Sequence, residues 1–448
     1  MVALAAAGTA TALNMSESNH TTLFTSLLND GKLAPHKCNI RAVQRHKFGP
    51  TEDHYPQLSR EMSPYSKADF LTPQELQDMC LRELSRVRDY FGSRPVYWAP
   101  SSHVDGTVEA NDQDPSLQLI QSLTDPDIEA KDAVASFPSE TLDQICLEAD
   151  LATADDVLHT THTTCTVISN ETLIPLQHSS EGTTTTTVLA GSMIWIIWPP
   201  TTHNLNILRA TYEEFALECK EEALDATRDL EGGIVLTQIE GESLRIPPYC
   251  PMMGLSLHTS VLATNSTTTI SNFISMLQKA PLLKAWFRTE TDGKRKQADF
   301  SNRMLNSLDL LLNGDEDPES ENLARLLKFH DSNNGPLQDL LRVWDAIKND
   351  VADLLGPADA LVLADIWGDF LIESKGRECR ICGVKIKNKL RLMRGHFLKR
   401  HWVRGVGKKR MDSAGVDDGG MVSGDASMED VLASVESGGQ DGAQIEMN

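Results

Sequence analysis

Val188-Leu-Ala-Gly-Ser-Met-Ile-Trp-Ile-Ile-Trp-Pro-Pro200 is the stretch on which the reading of this chain turns. It reads as a strand, a glycine turn, and an aromatic and aliphatic strand stopped by two prolines. Its counterpart is Glu240-Gly-Glu-Ser-Leu-Arg-Ile-Pro-Pro-Tyr-Cys-Pro-Met252, followed by Ser260-Val261 and Ser271-Asn-Phe273. That segment reads as a glycine-centred turn, a strand, a proline-rich corner and a further strand. Short antiparallel strands joined in this way predict a double-sheet jelly roll.

Outward from these segments, strand character runs from about residue 160 to 273. The segments 160–169, 183–189, 193–198, 233–238, 243–246 and 256–263 are rich in β-branched and apolar residues, bounded mostly by Gly, Pro or Asn. One helix, 212–226, is expected among them. A helix is expected before them at 72–90, with Pro73 at its start and Leu76, Met79, Cys80, Leu84 and Val87 at helical spacing. After Phe273 the pattern turns helical. Leu323, Leu326 and Leu327 make one apolar stripe; Leu337, Leu340, Leu341, Trp344, Ile347, Val351, Leu354 and Leu355 make another, ended by Gly356-Pro357. The expected organisation is a poorly ordered N-terminus (1–60), a helical lead-in with an acidic insertion (61–150), the jelly roll (151–275), C-terminal helices (276–374), a zinc finger (375–404) and a disordered acidic tail (405–448).

The finger rests on Cys379-Arg-Ile-Cys382, thirteen residues, and His396-Phe-Leu-Lys-Arg-His401. Two thiols separated by two residues and two imidazoles separated by four can close a tetrahedral shell around one zinc ion. The predicted metal ligands are therefore Cys379, Cys382, His396 and His401. The other six cysteines (Cys38, Cys80, Cys146, Cys165, Cys219, Cys250) follow no framework spacing, which argues against a secreted disulfide scaffold. The apolar start lacks a basic region, so no secretory leader is expected. No apolar run reaches membrane-spanning length, so no membrane partner is expected either.

Net charge is −23, unevenly spread. Fourteen acids and one lysine fall between residues 100 and 158; fourteen Lys/Arg and one acid fall between 375 and 410; nine acids and no base follow residue 411. The overall charge argues against general nucleic-acid binding, while the basic finger offers a local phosphate contact. The run Lys408-Lys-Arg410 reads as a nuclear localisation signal, which sets the expected compartment as the nucleus, with the cytoplasm as alternative. Nucleic acid through the finger, and chromatin or another protein, are the expected partners.

The two strand segments resemble the Jumonji C (JmjC) family, cupin-fold oxygenases that use Fe(II) and 2-oxoglutarate. Gly191, Trp195, Pro199, Pro200, Gly241, Glu242, Pro247, Pro248, Asn272 and Phe273 stand where the family pattern has them. The resemblance covers about residues 150–275 and implies an α+β fold: a double-stranded β-helix (jelly roll, cupin-like) flanked by helices. By the same resemblance, His178, Ser180 and Met252 occupy the iron-ligand positions, Met193 that of the lysine that pairs with 2-oxoglutarate, and Thr185 a strand with a polar co-substrate contact. Only His178 retains a suitable ligand type, and Met193 removes the ion pair. Glu181, His159, His162 and His258 are the residues that could restore a metal site, and Cys165 with His162 could be called a thiol dyad, though each has a plainer structural reading. The implied function is a nuclear JmjC-like pseudoenzyme acting as scaffold or binding module; the alternative is an Fe(II)/2-oxoglutarate-dependent protein hydroxylase or demethylase with altered ligands.

Overall fold

The computed structural model describes residues 40–42, 59–61, 72–91, 96–98, 115–125, 127–128, 130, 133–148, 156–218, 229–290, 293–314, 322–330, 335–372, 378–386 and 390–402. The acidic tail, the basic run 408–410, Cys38, Cys219 and most of the expected N-terminal segment lie outside these residues.

Two sheets carry the strands. The five-stranded sheet has the order β1 (Ile40–Ala42), β10 (Gly233–Ile239), β9 (Ser192–Ile197), β12 (Pro251–Ser256), β7 (Leu173–His178). It is antiparallel except where β1 runs parallel to β10. The eight-stranded sheet has the order β2 (Ser59–Glu61), β11 (Ser243–Ile246), β8 (Thr183–Ala190), β13 (Ser260–Thr269), β6 (Thr164–Ile168), β4 (Val134–Pro138), β3 (Val96–Trp98), with β5 (Val157–Thr160) also paired to β13. Every residue of β9 and of β12 is buried, which is why 193–198 reads as an unbroken apolar run and not as an alternating one.

The expected jelly roll does not form. Both sheets are open: among the described strands no ladder joins one sheet to the other, and neither closes into a barrel. This is not the cupin or JmjC β-barrel that the motifs implied. Alternation specifies which face of a strand is buried. Closure depends on strand number, tilt and stagger, which short motifs do not encode. Here the larger sheet runs on past β6 into β4 and β3, two strands that flank the acidic stretch of the expected helical lead-in.

Helices make up much of the remainder. Helices α1 (Pro73–Phe91), α2 (Pro115–Gln121) and α3 (Glu140–Glu148) lie on one face of the larger sheet, where Leu76, Met79, Cys80, Leu119, Phe137, Cys165 and Val261 share a core. Val188, Met193, Trp195, Ile197, Leu236, Leu244 and Met252 form a second core shared by strands of both sheets. Helix α4 (Thr202–Glu218) starts ten residues before the expected position, because Thr201 caps it: its hydroxyl accepts the Asn204 amide N–H at 3.2 Å.

Helices α5 (Ile270–Gln278), α6 (Ala280–Phe287), α7 (Gly293–Asn313), α8 (Leu323–His330), α9 (Pro336–Leu355) and α10 (Pro357–Ile372) follow. The eight residues of the predicted α9 stripe are all buried, and Gly356, at φ +83°, ends the helix. The α8 stripe does not behave alike: Leu323 and Leu327 are exposed and Phe329 is the buried residue. No described helix is long and apolar enough to cross a membrane.

Candidate metal centre

The residues from Glu378 to Trp402 build a small unit around four ligand groups. Cys379-Arg-Ile-Cys382 forms a tight turn closed by the Gly383 N–H on the Cys379 carbonyl at 2.7 Å. Gly383 adopts φ +70°, a conformation that a side chain would strain. The Cys379 N–H then donates to the Val384 carbonyl at 2.9 Å, and Glu378 bridges Lys385 antiparallel to it. Helix α11 (Leu390–Arg400) carries His396. His401 stands one residue past the helix end, held by its N–H on the Phe397 carbonyl at 2.7 Å.

These elements bring Cys379, Cys382, His396 and His401 together: one ligand atom from each lies within 4.8 Å of all the others. His396 Nε2 is 3.2 Å from His401 Nε2 and 3.2 Å from Cys382 Sγ, and Cys379 Sγ is 3.7 Å from His401 Nε2. Metal–nitrogen bonds of about 2.0–2.1 Å and metal–sulfur bonds of about 2.3 Å give tetrahedral edges of roughly 3.3–3.7 Å. The separations match the edges of one ligand shell, so the cluster can chelate a metal ion. Among the described residues it is the one group of three or more His, Cys, Asp or Glu so placed.

The unit is docked, not free. Cys379 and His401 are buried, whereas Cys382 is exposed. Both oxygens of the Asp345 carboxylate, on α9, lie 2.8 and 2.9 Å from His401 Nδ1. Trp344 Nε1 donates to the His401 carbonyl at 2.9 Å, and Lys348 Nζ donates to the Arg400 carbonyl at 2.7 Å. Trp344, Trp367, Phe397 and Trp402 pack ring to ring, with centroids 4.4 Å apart for Trp344–Trp367 and 5.7 Å for Phe397–Trp402. The Arg380 guanidinium lies 4.1 Å over the Phe370 ring of α10.

The electrostatics follow the burial. Desolvation pushes the Cys379 thiol up and draws His396 down, with the neighbouring His401 and Arg400 adding to the latter. Burial raises the Asp345 carboxyl, but hydrogen bonds from Lys348 and His401 outweigh it and leave it below the usual range.

The positions assigned to iron by resemblance are not brought together. His178 ends β7 opposite Pro251, while the neighbouring Gln177 is opposite Met252. Consecutive strand residues point to opposite faces, so His178 and Met252 lie on opposite sides of the sheet. His178 packs against Tyr212 of α4 and Trp286 of α6; Met252 and Met193 lie in the core between the sheets. A register shift between Met252 and Gly254 accompanies this arrangement. Ser180 sits in the loop after β7, its Oγ 2.6 Å from Ser266 Oγ and 3.2 Å from Glu181 Oε2. Thr185 lies in β8 between Arg245 and Asn265.

The remaining candidates scatter as well. Ser180, Glu181 and His159 line a cleft with Phe273, Met276 and Arg303. Burial lowers His159, as do Arg303 and His162. His162 Nδ1 is 2.9 Å from an Asp143 carboxylate oxygen, and His258 Nδ1 is 2.9 Å from Ser192 Oγ. Cys165 faces Cys80 at 3.7 Å, and its thiol is pushed up by that contact and by burial.

No family's sequence model matches this chain, and no curated protein matches it. Among solved structures, a cupin superfamily protein from Desulfitobacterium hafniense aligns at 9% identity over 30% of this chain and 75% of its own, with a TM-score of 0.16. A vicilin from Solanum melongena aligns at 10% identity over 30% of this chain and 27% of its own, with a TM-score of 0.19. Likenesses this faint carry no argument. With the open sheets, the JmjC-like readings fall together: neither the nuclear scaffold built on a decayed oxygenase nor the Fe(II)/2-oxoglutarate-dependent hydroxylase or demethylase has the barrel it needs. This is not the site of an oxygenase of that type; the chemistry is gathered instead in the Cys379, Cys382, His396, His401 cluster.

Proposed function

We propose that the four residues hold one zinc ion, and that the zinc-held unit fastens the basic C-terminal segment to α9 and α10 as a docking platform for nucleic acid in the nucleus. The observation that carries this reading is the double use of His401: Nε2 faces the other ligands while Nδ1 faces Asp345 on another element. Two thiols and two imidazoles at tetrahedral spacing are the donor set of a closed structural zinc site, which leaves no open position for a substrate. Such a small unit has little core, so metal binding would supply much of its ordering energy.

The partner follows from charge. A polyanion is repelled by a chain of net charge −23 except where fourteen bases meet one acid, at 375–410. Lys385, Lys399 and Arg400 are exposed there, on residues not consumed by the aromatic interface. The basic run 408–410 supports a nuclear address.

The test uses the purified full chain. Elemental analysis should give one zinc per chain, and single-stranded and duplex oligonucleotides should bind with an affinity that falls steeply with salt and is lost on chelation. A chain that takes up no zinc overturns the metal reading. A zinc-loaded chain that ignores oligonucleotides at low salt overturns the partner.

A further inference from the structure

We infer that Asp345, which precedes the ligand Cys379 by 34 residues, is the outer carboxylate of the metal site and couples metal occupancy to the packing of α9. The inference rests on the zinc reading above. The geometry is specific. Each Asp345 oxygen is within 2.9 Å of His401 Nδ1. A proton on Nδ1 shared with this carboxylate leaves the Nε2 lone pair for the metal, and it fixes the ring in the plane that aims Nε2 at His396 and Cys379. His401 is 2% exposed, so its ring has no solvent to turn into.

Asp345 is itself held. Lys348 Nζ is 2.9 Å from Asp345 Oδ1 and donates to the Arg400 carbonyl at 2.7 Å, so one ammonium ties the carboxylate to the end of α11. The preceding residue, Trp344, donates to the carbonyl of the same His401. Three α9 side chains, Trp344, Asp345 and Lys348, therefore end on two residues, Arg400 and His401, the second of them one of the four ligand residues. A metal that fixes His401 also fixes the α9 side chains that meet it. Conversely, an α9 that lacks the carboxylate leaves His401 free to take the wrong tautomer.

Asp345 is 47% exposed and its removal opens no cavity, so Asp345→Asn should fold. Full-length parent, Asp345→Asn, Asp345→Glu and Asp339→Asn are titrated with zinc against a chelating dye. Asp339 is the control, an α9 carboxylate paired at 2.9 Å with Arg342 on its own helix. Asp345→Asn should bind zinc 10- to 100-fold more weakly, Asp345→Glu should recover part of the loss, and Asp339→Asn should match the parent. Hydrogen exchange adds the coupling: chelating the parent should accelerate amide exchange over residues 342–349. Parent-like affinity in Asp345→Asn, or exchange in α9 that ignores chelation, overturns the inference. A parent that binds no zinc at all overturns the reading beneath it instead.

Discussion

The indole N–H of Trp344 donates to the main-chain carbonyl of His401 at 2.9 Å, joining positions 57 residues apart and placing a buried aromatic ring against the end of a ligand-bearing helix. Trp344 is fully buried and touches both Trp367 and Trp402. The ring thus belongs to two structures at once, the α9–α10 core and the metal unit.

Trp344→Ala should cost about 3–5 kcal/mol in urea unfolding, the range for truncating a buried aromatic ring. Trp344→Phe keeps most of the packing but leaves the His401 carbonyl without its donor, and should cost about 1–3 kcal/mol. The indole link holds the end of the unit, so amide hydrogen exchange over residues 396–402 should speed up in Trp344→Phe relative to the parent. Equal exchange with equal stability would show that the link does not hold the unit.

Gln238 ties the two sheets together. From β10 in the smaller sheet its Oε1 accepts the Trp195 indole N–H at 2.8 Å, and its Nε2 donates to the carbonyls of Thr186 and Glu242, each at 2.8 Å. It is fully buried. Gln238→Leu fills similar volume but strands one donor and weakens two acceptors, so the expected loss is about 3 kcal/mol or more at roughly 1–3 kcal/mol for each unpaired group. Chemical denaturation measures it; a variant as stable as the parent would mean that the sheets are joined by apolar contact alone.

Trp195 also sets the requirement for Gly254 on the next strand. A methyl group at Gly254 would lie 2.7 Å from the Trp195 ring and 3.2 Å from Ile174. Gly254→Ala should therefore destabilise by about 1–3 kcal/mol through overpacking, and the shift should shrink when Trp195→Leu is added, because the two positions share one contact. An additive pair of losses would contradict the contact.

The ligand cluster was legible because its spacing is chemistry: two thiols and two imidazoles at fixed intervals leave few other readings, and they converge. What spacing could not show was the docking, since Asp345 and Lys348 read only as the polar face of a helix whose apolar stripe was already assigned. The strands were harder. β7 contains Pro175 and β12 contains Pro251 and Gly254, so neither reads as a strand, yet β7 is a sheet edge where a proline costs no ladder bond. Motif order suggested a closed jelly roll because turns and corners recur at similar intervals in many sheets; which edges meet is decided by contacts far apart in sequence. The iron positions illustrate the limit, since the register that places Gln177 opposite Met252 turns His178 to the other face.

The register that turns His178 away from Met252 sets it against Tyr212. The Tyr212 hydroxyl lies 2.9 Å from the His178 main-chain nitrogen and 2.9 Å from its Nδ1. The main-chain N–H can only donate, so the hydroxyl accepts there and keeps its own proton to offer to Nδ1. That arrangement suits a neutral imidazole with its proton on Nε2. Burial beside Tyr249 and Trp286 acts in the same direction, drawing the His178 pKa from 6.5 down to about 4. An unfolded chain takes up the proton near 6.5 and the folded chain does not, so the stabilising term is complete above pH 6.5 and is lost progressively as pH falls toward 4. The loss over that window should reach about 3 kcal/mol, at about 1.4 kcal/mol per pH unit. His178→Asn offers an uncharged acceptor in place of the ring and should flatten this part of the pH–stability curve relative to the parent, at some cost in stability at pH 8. Parallel curves for parent and variant between pH 4 and 7 would show that His178 charges within the fold and that Tyr212 does not hold it neutral.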